Sequence, residues 1–250
     1  MALVIPKPVK PDDFVLQKLT RDRLEYLIDS TINFHANGVS GIILYGLYGT
    51  GKTTMAELLP GWLETAKTTD FLQSGTTGQI VDSTQPHYQY LACAQGQNGT
   101  QMIIQIQSSA SFVSLNTSNL HYVILDEFDL LTTAAIASLK SIMNRKDVVF
   151  IFTTNNLDKI DKGVLNRSIL LDLNAAPTPD WVAKINSIYQ SNGLSIPASS
   201  AIAGIVAAGK GSARTIFTDL DIAESKRNKT ASQPESVNTN WKESPWKPWQ

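Results

Sequence analysis

The stretch Tyr45-Gly-Leu-Tyr-Gly-Thr-Gly-Lys-Thr-Thr54 leaves few folds open to the chain that carries it. Within it, Gly46-x-x-x-x-Gly51-Lys52-Thr53 is a complete Walker A pattern. That pattern has physical meaning only between a strand and a helix, and both flanks fit. Ser40 to Gly46 holds the apolar run of a buried parallel strand. After the loop, Met55, Leu58 and Leu59 read as one face of a helix that Pro60-Gly61 should end or kink. Glycines at such a turn let backbone N–H groups wrap the β-phosphate of a nucleotide, and the helix N-terminus adds a favourable dipole. The candidate cradle is Gly46, Gly49, Thr50, Gly51, Lys52, Thr53 and Thr54. Lys52 would reach the β- and γ-phosphates, and Thr53 would offer its hydroxyl to Mg²⁺.

The remaining pattern alternates strands and helices. Residues 1–13 are rich in Pro and Lys and read as extended. Leu16, Leu19, Leu24, Leu27, Ile28 and Ile32 then recur at helical spacing up to a stop at Asn37-Gly38. Residues 66–86 are polar, with turn signals at Ser74-Gly75 and Thr77-Gly78. Tyr88 to Ala94 suits a strand, and Thr100 to Phe112 a helix with Met102, Ile103 and Ile106 inward. The run His121–Leu125 is a clear strand, and a helix from about Thr133 puts Ile136, Leu139, Ile142 and Met143 on one face. Val148 to Thr153 and Ser168 to Leu173 are two more strands. The expectation is an α/β fold: a parallel five-stranded sheet with helices on both faces.

The pattern changes near residue 175. Ala175-Ala-Pro-Thr-Pro-Asp180 reads as a linker, with Thr178 as N-cap and Pro179 at the first helical position. Helices follow over 179–191, about 197–208 and about 212–226, with Trp181, Val182, Ile185, Ile188 and Tyr189 on one apolar face. We therefore divide the chain into a P-loop domain at 1–174, a small all-helical domain at 175–227, and a polar, disordered tail at 228–250. Trp241, Trp246 and Trp249 sit in that tail. They read either as a short motif that docks a partner or as side chains folded back onto the helical region.

Bulk composition excludes several classes. The net charge of −1 gives no general attraction to nucleic acid or anionic membrane. Cys93 is the only cysteine of the 250 residues, so no intrachain disulfide forms, and it reads as a small buried hydrophobe. MALVIPKPVK lacks the apolar run of a signal peptide, and the longest apolar runs are strand-sized. The expected location is the cytoplasm, or a host cytoplasm if the protein is viral.

A Walker A loop does not by itself separate hydrolysis from phosphoryl transfer. The strand His121–Leu125 ends in Asp126-Glu127. An acid at the end of an apolar strand is where a Walker B Asp holds Mg²⁺ through water, and Glu127 is placed to polarise an attacking water. That second acid argues against a small-molecule kinase, which must exclude water. Asp129 is equally suited to catalysis or to starting the next helix with its carboxylate. Asn155, after the strand Val148–Thr153, would point at the γ-phosphate or the water, although Asn-Asn also simply ends strands.

Together these residues resemble AAA+ ATPases. GLYGTGKTT, VILDEFD, IFTTNNLDKI, VLNRS and GSARTI occur in that family's order and at its intervals. Within it the chain looks most like clamp-loader ATPase subunits of the replication factor C type, above all the small ATPase subunit of tailed-phage clamp loaders. The likeness spans about residues 5–226, and includes the opening PKPVKPDDFV, which is similar to the segment leading into the adenine pocket. It implies ATP and Mg²⁺ as cofactors, with Asp126 and Thr53 at the metal. It implies that Asn155 is sensor 1 and Arg214 sensor 2, and that Arg167 acts in trans on a neighbour's ATP. The partners it implies are copies of the chain or homologous subunits in a ring, a sliding clamp, and primer–template DNA.

The resemblance also breaks down in places. Clamp-loader subunits carry a third, collar domain; the residues after the last helix here are not expected to form one, which puts ring closure, stoichiometry and partner in doubt. Around Arg167 the family's Ser and Cys are Asn166 and Ser168. No Lys or Arg occurs between Lys67 and Lys140, so DNA affinity of the isolated chain should be weak. Lys140, Arg145 and Lys146, on the helix after Walker B, read as phosphate contacts or as a solvated helix face. Two other functions fit: another AAA+ ATPase acting on DNA, such as a helicase loader or transposition regulator, or an ATP-dependent scaffold with little turnover.

Overall fold

The computed structural model describes residues 3–29, 34, 38–73, 86–93 and 99–232, with the side chains of 68–73 and 230–232 left aside. Its centre is a five-stranded parallel sheet. The strands are β1 (Gly41–Tyr45), β2 (Tyr88–Ala92), β3 (His121–Asp126), β4 (Val148–Thr154) and β5 (Ser168–Asp172), in spatial order β2-β3-β4-β1-β5. β4 is buried at all seven positions, as expected of a central strand covered on both faces.

Side-chain alternation sorts the sheet into two cores. Ile42, Leu44, Tyr122, Ile124, Val149 and Ile151 face α1 (Lys18–Leu27) and α2 (Lys52–Gln73). Ile43, Val123, Leu125, Phe150 and Phe152 face α3 (Gly99–Ser109) and α4 (Thr133–Ile142). Phe152 lies between Phe128 and Phe150, with ring centroids 4.6 and 5.8 Å away. A four-residue α5 (Lys162–Leu165) leads into β5. A third core joins α6 (Thr178–Ser191), α7 (Ser199–Ala208) and α8 (Ala213–Ser232) through Trp181, Ile185, Tyr189, Ile202, Ile216 and Leu220. Among the described residues no helix is long and apolar enough to cross a membrane.

Several expectations need correction. The N-terminal segment is interrupted by a 3₁₀ turn at Pro11–Asp13, where the Asp13 carboxylate accepts from the backbone N–H of Val9 and Lys10. α1 ends at Leu27, and Leu19 faces solvent; Ile32 and Asn37 lie outside the described residues. α2 does not end at Pro60 but runs on to Gln73. Proline forfeits one hydrogen bond there, while Leu59 and Leu63 on either side remain buried in the core that the helix covers. α3 stops at Ser109, which leaves Phe112 exposed. Thr178 is the first helical residue rather than the cap: Pro177 takes the N-cap position with no side-chain bond, and Pro179 is still accommodated in the first turn. α8 continues six residues past 226, to Ser232. The turn signals at 74–78 and the three tail tryptophans lie outside the described residues.

One buried carboxylate knits α2 to the sheet. Glu64 accepts from the backbone N–H of Ser118 (2.7 Å), the Ser118 hydroxyl (2.6 Å) and the Tyr122 hydroxyl (2.8 Å). Cys93 is buried, as its sequence reading expects, and burial pushes its thiol up to about 12.

Candidate nucleotide site

Parallel strands end together, and a cleft opens beyond their C-terminal ends. Its wall is built from Tyr48, Gly49, Gly51, Lys52, Thr53, Thr54, Asp126, Glu127, Thr153, Asn155 and Arg214. Four separate stretches of sequence meet there: the loop after β1, the end of β3, the end of β4 and the first turn of α8. Gly46 and Thr50 lie in the same loop but not on the cleft wall, and the Thr50 hydroxyl donates to Leu47 O at 3.0 Å.

The loop's shape is held from outside itself. Leu47 N–H donates to the Asn174 side chain at 3.1 Å. Arg214 N–H donates to Gly49 O at 3.0 Å. Gly49 has φ of 75°, and a Cβ there would come within 2.5 Å of Ser212 Oγ. Glycine is therefore required both for the backbone conformation and for the approach of α8. Lys52 is buried and donates to Gly46 O at 3.0 Å and Leu47 O at 2.6 Å. Burial, with Arg214 adding repulsion, holds its ammonium below the ordinary lysine value against the pull of Asp126.

The acidic side of the cleft is a network of hydroxyl donors around Asp126. Thr53 Oγ1 donates to Asp126 Oδ1 at 3.1 Å, and Thr153 Oγ1 donates to the same oxygen. Tyr90 donates to Oδ2 at 2.6 Å. Glu127 N–H donates to Thr153 Oγ1 at 3.0 Å. Glu127 itself is exposed and adopts a left-handed backbone, φ 55° and ψ 45°. That conformation is costly for a residue with a Cβ and turns its side chain out at the mouth of the cleft.

Asp129 does not start α4. It lies in a 3₁₀ turn, and its carboxylate accepts from Thr154 Oγ1 at 2.8 Å, while Thr132 caps α4. The Thr154 hydroxyl in turn accepts from Asn156 N–H at 2.9 Å, which shapes the turn that carries Asn155. Sequence reasoning missed Tyr90, Thr153 and Asn174. Only Thr153 carried a signal, as the polar residue that ends an apolar strand.

Arg167 is not in the cleft. Its carbonyl accepts from Ser40 and Gly41 N–H, at the start of β1. The five residues of β1 separate that point from the loop, about 16 Å at strand rise. The Arg167 guanidinium donates to Gly163 O at 2.9 Å and to Asn144 Oδ1 at 3.4 Å. The other basic residues also have partners: Lys140 pairs with Asp161 and Arg145 with Asp147. Arg145 and Lys146 lie past the end of α4, not on it.

The donor set of the cleft suits Mg²⁺ beside phosphate oxygens. Its donors toward a metal are one hydroxyl and one carboxylate, Thr53 and Asp126, side by side. Among the described residues no cluster of three His, Cys, Asp or Glu could hold a metal unaided. Mg²⁺ bound through few protein oxygens and completed by phosphates and water matches that set.

The family profile described as the ATPase family associated with various cellular activities (AAA) matches residues 42–171. No curated protein sequence gives a match. Among solved structures, RuvB of Thermotoga maritima aligns with a TM-score of 0.64 at 14% identity, over 91% of this chain and 68% of that one. PCH-2 of C. elegans aligns with a TM-score of 0.57 at 17% identity, over 86% of this chain and 64% of that one. At such identities the likeness shows the fold, a P-loop NTPase sheet with its helices.

Proposed function

Because the chain belongs to the ATPase family associated with various cellular activities, we propose that it is a Mg²⁺-dependent ATPase that works as an oligomer in the cytoplasm, loading a sliding clamp onto primed DNA. One observation carries the oligomer: the cleft gathers Lys52, Thr53, Asp126, Glu127, Asn155 and Arg214, while Arg167 sits at the opposite end of β1. An arginine there cannot serve its own cleft and is free to serve that of an adjoining copy. Doing so means exchanging the Gly163 and Asn144 contacts for phosphate.

The roles follow from placement. Lys52 and the loop amides hold phosphates. Bound Mg²⁺ would neutralise phosphate charge. Thr53 and Asp126 would hold that ion. Glu127 orients and deprotonates the attacking water, and Asn155 helps hold that water. Arg214 brings α8 against the γ-phosphate, making α6–α8 a lid. Arg167 of a second copy stabilises charge in the transition state, a contribution of about 10³–10⁵ in rate for arginine fingers. The clamp and the primed DNA rest on the sequence resemblance, with VILDEFD and IFTTNN as its core.

The test mixes two inactive proteins, Arg167→Ala and Glu127→Gln. Each lacks a different half of a composite site. The expected result is ATPase activity in the mixture well above either protein alone. A mixture no more active than its parts removes the trans role.

A further inference from the structure

Tyr90 reaches the Walker B carboxylate from a strand that the nucleotide-site motifs do not include. β2 pairs with β3 so that Tyr90 lies beside Ile124 and Ala92 beside Asp126. Paired residues on neighbouring parallel strands face the same side, so Tyr90, Ala92, Ile124 and Asp126 share one face of the sheet. Ala92, beside Asp126 in the register, has only a methyl side chain. The Tyr90 ring spans the two-residue offset and its hydroxyl meets Asp126 Oδ2 at 2.6 Å. On the other flank, Thr153 and Thr53 both donate to Oδ1, and Thr53 is farther from Oδ2, at 3.4 Å. The phenol bonds Oδ2 alone, while Thr153 bonds Oδ1 and Thr53 leans toward Oδ1, its contact with Oδ2 being the longer.

We infer that Tyr90 is a positioning residue for the metal-holding carboxylate, its hydroxyl fixing the rotation of Asp126 so that Oδ1 stays turned toward Thr53. This rests on the reading of the cleft as a Mg²⁺–nucleotide site. Without the phenol, only the threonine hydroxyls would hold the carboxylate against rotation about its last bond, and such terminal torsions are broad. A phenol on the far oxygen removes that freedom before the ion arrives. Tyr90 is 40% exposed, so removing its hydroxyl leaves no hole in either core.

The experiment compares the wild-type protein with Tyr90→Phe by equilibrium titration of a fluorescent ADP analogue, in EDTA and across a Mg²⁺ series. The ring remains and only the hydroxyl is lost. We expect the Mg²⁺ concentration that half-restores tight binding to rise about tenfold, the size of one hydrogen bond to a charged acceptor. Affinity in EDTA and the melting temperature should not change. A Mg²⁺ requirement that is unchanged or lower in Tyr90→Phe overturns the inference. So does a fall in melting temperature with the Mg²⁺ requirement intact, which would make Tyr90 an anchor of β2 alone. If the wild-type protein binds the analogue without any Mg²⁺ dependence, the reading of the cleft fails, and the inference fails with it.

Discussion

Glu127 shows how a single residue can be placed against its own stability. Its left-handed backbone carries a cost of about 1–2 kcal/mol that glycine would not incur. The cost is borne where Asp126 must face Thr53 while the next side chain turns outward. Replacing Glu127 with Gly keeps the N–H that bonds Thr153 and relieves the strain. We expect Glu127→Gly to be more stable than wild type by about 1 kcal/mol in urea denaturation, and to have lost ATP turnover. A variant less stable than wild type would mean that the conformation is not strained. Much of this site was legible residue by residue. Lys52, Thr53, Asp126 and Glu127 announced themselves through fixed spacing beside apolar strands. Tyr90 did not, because its role depends on the register of β2 against β3, and nothing local in YQYLA sets that register. Asn174 was hidden for the same reason: it meets Leu47 only once β5 lies beside β1.

At the scale of elements, apolar runs identified the strands because buried parallel strands have no polar face to disguise them. Helix ends were read less well. Pro60 read as a stop or a kink; the helix runs through it, because tertiary burial of α2 outweighs one missing hydrogen bond. Thr178 looked like a cap, yet its side chain accepts nothing and the helix begins on it. Basic residues after Walker B read as phosphate contacts or as a solvated helix face; Lys140 and Arg145 pair with Asp161 and Asp147, whose carboxyls these partners help hold below the usual aspartate range. The tie between α2 and β3 gives a sharper test. Glu64→Ala would strand the Tyr122 hydroxyl and the Ser118 N–H in the interior. We expect a loss of about 3 kcal/mol, read from the urea midpoint, since each unsatisfied buried donor costs about 1–3 kcal/mol. A loss below about 1 kcal/mol would show that water replaces the carboxylate.

For the whole molecule, the question is what the proposed assembly acts on. A clamp loader should hydrolyse ATP fastest with clamp and primer–template DNA together. A different DNA-directed ATPase should respond to DNA alone, and a scaffold should bind ATP with little turnover in any mixture. We expect stimulation of at least about tenfold by the pair over either component, measured alongside sedimentation. Equal stimulation by DNA without clamp would remove clamp loading from the proposal. The placement of Arg167 and the cleft at opposite ends of β1 has a consequence for counting. Each copy would give at one end and receive at the other, so the contact is head-to-tail and any open assembly has two unlike ends. One terminal copy offers an arginine to no one, and the other holds a nucleotide that no arginine reaches. A pair then completes one site for two chains, a longer open row always falls one short, and only closure makes complete sites equal chains. Turnover per chain would therefore climb with the length of the row and level off when its ends meet, so that enzyme rate becomes a gauge of whether the ring has shut.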